Sequence, residues 1–173
     1  TLDGTLFPYT TLFRSETAST NDIADAAGRA GAAEGLAVFA ETQTRGRGRL
    51  RRRWESRAGA GLWFSALLRP AWPPAEAGRL TAIAAVAVAE ATVALAGLPA
   101  AIKWPNDIWI GRRKLAGILT ELRCTGGHID FAVVGIGINV AHRPEDFPAE
   151  LRDTATSLAI ESGQPPGRTA LAA

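Results

Sequence analysis

The sequence predicts an α+β domain built on a mixed, largely antiparallel sheet with helices packed on it. Three observations carry that expectation. Apolar runs in the second half are joined by short glycine-containing connections, Gly111-Arg112-Arg113 and Thr125-Gly126-Gly127. Such connections fit hairpins, whereas parallel neighbours need crossovers of a dozen residues or more. A long alanine-rich stretch, about 76–96, has the length of a core helix and is closed by Gly97 and Pro99. The segment from Gly61 to Arg69 alternates, placing Leu62, Phe64, Ala66 and Leu68 on one face of a strand. The 173 residues, 47% hydrophobic, suit one domain with a sizeable core.

Taken in order, residues 1–15 match neither helical nor strand periodicity, and Thr5-Leu6-Phe7 recurs as Thr11-Leu12-Phe13. They are read as a disordered or non-native leader, with an apolar edge strand as the alternative. Organised sequence starts at Glu16. Ser19, Thr20 and Asn21 can cap a helix over Asp22 to Ala30 that Gly31 ends. Leu36 to Ala40 is a short apolar strand. Thr42 to Arg53 lacks apolar periodicity and reads as a loop. After the long helix, strands are expected at 101–103, 108–110, 114–122 and 129–140. From Pro144 the chain turns polar and proline-rich.

Composition narrows the function classes. One cysteine excludes a disulfide framework and points to a reducing, cytoplasmic setting. Nineteen basic residues against 17 acidic ones give +2, too balanced for a wholesale nucleic-acid or membrane binder. The stretch 80–98 is apolar but carries Glu90, so it reads as a packed helix and not a membrane span. No basic leader precedes the first apolar residues, which argues against a signal peptide.

Four segments could carry chemistry. Between Arg45 and Arg53 stand six arginines with Gly46 and Gly48, followed by Trp54. Guanidinium groups on a pliable backbone suit phosphate oxygens, and the indole could stack on a base. A solvated charge run is an equally open reading of that composition; a single-strand nucleic-acid platform is a third, which one short loop on a near-neutral domain supports only thinly. In Lys103-Trp104-Pro105-Asn106-Asp107, Pro105 breaks the strand and leaves an amide and a carboxylate beside a cation, which suits a magnesium nucleotide. An ordinary Asn-Asp turn explains the same residues. The run Lys114 to Glu121 alternates Lys114, Ala116 and Ile118 on one face with Leu115, Gly117 and Leu119 on the other, and Gly117 suggests close approach by a ligand or another backbone. Gly135-Ile136-Gly137-Ile138-Asn139 is glycine-rich but lacks the third glycine of a dinucleotide fingerprint. The only two lysines, Lys103 and Lys114, both fall in these segments. Cys124 and the histidines at 128 and 142 have no metal-ligand company and read as turn or surface residues.

Together and in this order, Ser19-Thr20-Asn21, Gln43 with Gly46-Arg47-Gly48-Arg49 and Trp54, the Lys103 to Asp107 pentapeptide, Lys114 to Glu121, and Gly135 to Asn139 resemble the catalytic domain of bacterial biotin protein ligases, over about 16–168. The resemblance implies a class II aminoacyl-tRNA synthetase-like core shared by biotin and lipoyl ligases. It implies a two-step reaction in which biotin and ATP form biotinyl-5'-adenylate. A lysine of the biotin carboxyl carrier protein of acetyl-CoA carboxylase then takes the biotinyl group. Carried over residue by residue, the catalytic groups are Lys114, Arg49 and Asp107. Ser19, Thr20, Asn21, Gln43, Gly46, Arg47, Gly48, Arg49, Lys114, Gly117, Leu119 and Ile138 would face biotin. Arg49, Trp54, Lys103, Asn106, Asp107 and Asn139 would face ATP, with Asp107 toward Mg2+. The arginine loop would order over bound ligand, which suits an acyl-adenylate that water destroys.

The chain departs from that pattern at Arg51, where the family usually has glycine. A positive φ there would strain the loop. The resemblance also implies an incomplete catalytic domain over 16–173, without the small β-barrel domain and without a DNA-binding helix-turn-helix. No DNA and no membrane partner is expected; family members often pair through sheet edges, and a homodimer is an open alternative to a monomer. Alternatives are a lipoyl or octanoyl transferase of the same fold, whose histidine-containing signature is missing, and a non-catalytic biotin- or nucleic-acid-binding fragment.

Overall fold

The computed structural model of the chain describes residues 10–172. Two tight turns set the topology of its second half. Gly126 and Gly127 both have positive φ (57° and 83°), as a two-residue hairpin requires, and they fold Arg113–Thr125 (β6) onto His128–Asn139 (β7). Gly111 at φ 56° turns Asp107–Ile110 (β5) into β6. With Thr11–Thr17 (β1), Ala37–Gln43 (β2), Gly61–Leu68 (β3) and Ala100–Lys103 (β4), these strands form one seven-stranded sheet ordered β1-β2-β3-β7-β6-β5-β4. Every neighbouring pair is antiparallel except β1 and β2, which are parallel and joined through the helix Thr20–Arg29 (α1).

Strand β1 corrects the expected leader. Residues 11–15 lie in the sheet, with Leu12 paired to Val38 and Phe13 to Phe39, and so follow the edge-strand alternative. The remainder of that stretch, 1–9, is outside the described residues.

The helix Gly78–Ala96 (α2), ended by Gly97 at φ 65°, packs on the opposite face of the sheet from α1. By length and composition alone 74–96 could cross a membrane. Here it buries Leu80, Ala85 and Val88 against Leu62, Ala116, Ile118, Val134 and Ile138 of the sheet. Two short helices, Leu158–Ser162 (α3) and Arg168–Ala172 (α4), add Leu158 and Leu171 to this core. On the other face α1 buries Ala24 against Val38, Leu67, Phe131 and Val133. β3 therefore buries both faces, since Trp63, Ser65 and Leu67 are as buried as Leu62. That explains why its alternation showed only one of the two packed sides.

Candidate active site

The α1 face of the sheet is apolar only over part of its length. Toward the C-terminal end of β7 its residues become small: Gly117 of β6 pairs with Gly137 of β7, and Leu119 with Gly135. Nothing larger fits. A Cβ on Gly137 would stand 2.6 Å from Trp54 Cε2, one on Gly117 2.9 Å from Trp54 Cζ3, and one on Gly135 would collide with the Asn21 amide. The glycines thus form a floor on which the indole of Trp54 and the side chain of Asn21 lie directly.

The start of α1 supplies one wall. Ser19, Thr20 and Asn21 are buried at its first turn. Gln43 Oε1 accepts from the Thr20 backbone N–H at 2.8 Å and from its hydroxyl at 3.2 Å. Ser65, fully buried on β3, donates to Asn21 Oδ1 at 2.5 Å and lies 2.7 Å from Thr20 Oγ1. Asn21 Nδ2 in turn donates to Glu121 Oε2 at 2.6 Å. Ser65 was not among the expected site residues, although a serine between apolar neighbours on an alternating strand was the available signal.

Lys114 reaches this face through an irregularity in β6. Trp109 pairs with Lys114 and Ile108 with Ala116, so Leu115 is an extra residue in the ladder. Such a bulge re-aims the preceding side chain. Strict alternation would have put Lys114 beside Ala116 and Ile118, which face the α2 core. Instead its Nζ lies 3.2 Å from where a Gly117 Cβ would be, 5.4 Å from the Trp54 ring centroid and 2.7 Å from Asp107 Oδ1. Its backbone is also pinned from outside the sheet: Lys114 N–H donates to Thr154 O, and Thr156 N–H to Lys114 O. Asn139 Nδ2 donates to the Thr156 carbonyl at 3.0 Å, so its amide holds that segment in place.

Two cavities meet at Lys114. One, with about 50 Å³ free beside Trp54, is lined by Ser19, Thr20, Asn21, Gln43, Gly117 and Leu119 among others. The second, about 640 Å³, is lined by Lys103, Asp107, Asn139, Arg52, Arg53 and His142 among others. Gly48, Arg49, Trp54, Asn106 and Lys114 border both. Arg49 Nη1 donates to Asn106 Oδ1 at 3.2 Å, bringing the arginine loop across to the β4–β5 turn. Lys103 Nζ sits 3.6 Å above the Trp109 ring.

Three expected residues fall elsewhere. Ile138 is buried in the α2 core opposite Leu62 and Ala116, because strand alternation turns it away from the face that Gly137 presents. Gly46 lines neither cavity; its Cβ would stand 2.5 Å from the Trp54 carbonyl, so it lets the loop close on itself, where Trp54 N–H donates to Gly46 O at 2.9 Å. His142 is not a surface residue. It is 2% exposed, its ring stacks on Phe147 with centroids 4.9 Å apart, and burial, aided by the nearby Arg57 charge, pushes its pKa down to about 4. Arg51 has φ 61° and Leu50 φ 57°, so the position where glycine is usual does require a left-handed backbone.

Sequence and structure comparisons agree with one another. Residues 14–139 match the Biotin/lipoate A/B protein ligase family. The chain is 44% identical over 153 residues to the bifunctional ligase/repressor BirA of Bacillus spizizenii, covering 88% of this chain and 47% of that protein. It is 37% identical over 149 residues to the biotin–[acetyl-CoA-carboxylase] ligase of Mycobacterium tuberculosis, covering 83% of this chain and 53% of that protein. The chain thus spans about half the length of the curated relatives it matches. Among solved structures it resembles the biotin protein ligase of Aquifex aeolicus in complex with biotin and ATP, with a TM-score of 0.78, 34% identity, and coverage of 94% of this chain and 65% of that one. The glycine floor, the buried first turn of α1 and the bulged lysine strand all fall inside the matched region, and the chain belongs to the Biotin/lipoate A/B protein ligase family.

Proposed function

We propose that this chain holds the activation site of an ATP-dependent biotin–protein ligase. The observation that carries the reading is the position of Lys114 at the common wall of two cavities. One presents the hydroxyls and amides of Ser19, Thr20, Asn21 and Gln43 over a glycine floor; the other is nucleotide-sized and rich in arginine and lysine. In the first step a carboxylate oxygen of biotin attacks the α-phosphorus of ATP, and pyrophosphate leaves. Two anions must touch for this to happen, so fixed cations are the protein's main contribution, and Lys114 and Arg49 stand where the reactants meet. In the second step the amine of a carrier-protein lysine attacks the acyl carbon, loses a proton, and AMP leaves. Neither step needs a covalent enzyme intermediate.

The polar wall suits the ureido ring of biotin, with Leu119 against its apolar part, and Trp54, which borders both cavities, would face the adenine of ATP. The free space beside Trp54 is small, so a bicyclic ligand enters only as that indole and its loop shift. Asp107 offers one carboxylate, and among the described residues no group of three acids, histidines or cysteines could hold a metal. That donor set fits Mg2+ carried in on ATP phosphates, which needs only one or two protein carboxylates. When bound, the ion would neutralise phosphate charge, and Lys114, 2.7 Å from Asp107 Oδ1, would help to orient that carboxylate. The acceptor would be a biotin carboxyl carrier protein in the cytoplasm, and β1 and β4, the end strands of the sheet among the described residues, are where two copies would pair.

Calorimetry with biotin, then with biotin and magnesium–ATP, tests the reading. Heat with biotin and enhanced affinity in the presence of ATP is expected. Heat with lipoate instead would favour a lipoyl transferase, and heat only with an oligonucleotide a binding fragment.

A further inference from the structure

The resemblance gives Arg47 to ligand binding, but its guanidinium is already engaged by the protein. Nη1 lies 2.7 Å from Asp22 Oδ1 of α1, and Nη2 lies 3.2 Å from Glu121 Oε2 of β6. Burial pulls the Arg47 pKa down, and the hydrogen bond to Asp22 with the charge of Glu121 more than reverses this, leaving it raised. Glu121 is itself held by the buried Asn21 amide at 2.6 Å, so the clamp is continuous with the polar wall of the smaller cavity. On the other side Arg47 pairs with Arg53 through the backbone, next to Trp54. A force on Arg47 is therefore passed to the indole that covers Gly117 and Gly137.

We infer that Asp22 and Glu121 are positioning residues of the site: through Arg47 they hold the arginine loop across the cavity. An isolated exposed ion pair contributes little. This one differs because a single guanidinium bridges two carboxylates from separate elements, one of them anchored by a buried amide. The loop also reaches across the site through the hydrogen bond from Arg49 to Asn106. The consequence for the adenylate rests on the proposed function; the clamp itself does not.

The test uses the full chain without ligand. Backbone hydrogen exchange over 45–54 is compared for wild type, Asp22→Asn, Glu121→Gln and Arg47→Ala. Each substitution is expected to speed exchange about three- to ten-fold while the melting temperature moves little. Adding Glu121→Gln to Arg47→Ala should give no further increase, because Glu121 acts through Arg47. Raising salt toward 1 M should shrink the difference between wild type and the single variants. With biotin and magnesium–ATP, release of the adenylate from Glu121→Gln should quicken by a similar factor. Unchanged loop exchange in both carboxylate variants, or fully additive effects with Arg47→Ala, overturns the clamp. Faster exchange without any adenylate formation upholds the clamp and removes the proposed function.

Discussion

Two consecutive residues of the arginine loop, Leu50 and Arg51, have left-handed backbones at φ 57° and 61°. A side chain in that region costs about 1–2 kcal/mol because Cβ crowds the following carbonyl. Arg51→Gly removes that strain from the closed loop. Glycine also adds freedom to the open loop, worth about 0.5–1 kcal/mol in the opposite direction. The balance favours closure by about 0.5–1 kcal/mol, or about two- to five-fold in population. Arg51→Ala is the control, since it removes the charge and keeps the Cβ. The closed loop has its own reporters: Gly48 N–H donates to Arg52 O at 2.8 Å and Trp54 N–H to Gly46 O at 2.9 Å. Hydrogen exchange at those amides should slow two- to five-fold in Arg51→Gly and stay within two-fold of wild type in Arg51→Ala. Equal behaviour of the two variants, or faster exchange in Arg51→Gly, would refute the idea that backbone strain at Arg51 sets loop closure.

Other expectations concern the floor, the wall and the buried histidine. Gly137→Ala puts a methyl group 2.6 Å from the Trp54 ring, so biotin affinity should fall at least about ten-fold with little change in melting temperature; unchanged affinity in calorimetry would contradict the floor. Ser65→Ala leaves the buried Asn21 Oδ1 without its donor, at a cost of about 1–3 kcal/mol, and a thermal melt should shift down by about 3–10 °C; a shift under about 1 °C argues against that network. His142 is held neutral, with its pKa down at about 4 from 6.5. The unfolded chain binds the proton more readily between those values, so stability is full above pH 6.5 and declines as pH falls toward 4. The loss reaches up to about 3 kcal/mol. His142→Phe should flatten that part of the denaturation profile, and an identical slope in the variant would contradict this.

How much of this was legible beforehand differs by feature. The hairpins were, because Gly126 and Gly127 are the residues a tight turn demands. So was the long helix, from its length and its glycine stop. Asn21, Gln43, Lys114 and Gly117 were placed at one site by resemblance, and the structure brings them to one cavity. The face of Lys114 was not legible, since alternation assumes an unbroken ladder and the bulge at Leu115 depends on pairing with β5. Ile138 was assigned to the wrong face for a related reason: the resemblance supplied a position, and only the register with Leu62 and Ala116 shows where its side chain goes. Asp22 and Ser65 were missed because their partners lie far off in sequence, Arg47 in one case and Asn21 in the other. The burial of His142 depends on Phe147, Trp63 and the segment after β7 folding back over it. Those contacts are tertiary, and no local pattern announces them.

Charge neutralisation by Lys114, where the two cavities join, is what the proposed reaction depends on. The most direct measurement is mass-spectrometric detection of biotinyl-5'-adenylate in a single turnover with biotin and magnesium–ATP, comparing the chain with Lys114→Ala. Adenylate and stoichiometric pyrophosphate are expected from the chain. The variant should lose at least about a hundredfold in rate, a typical magnitude for a preorganised charge-stabilising group, with an unchanged melting profile. Adenylate formed by Lys114→Ala at the parent rate would contradict that role for Lys114.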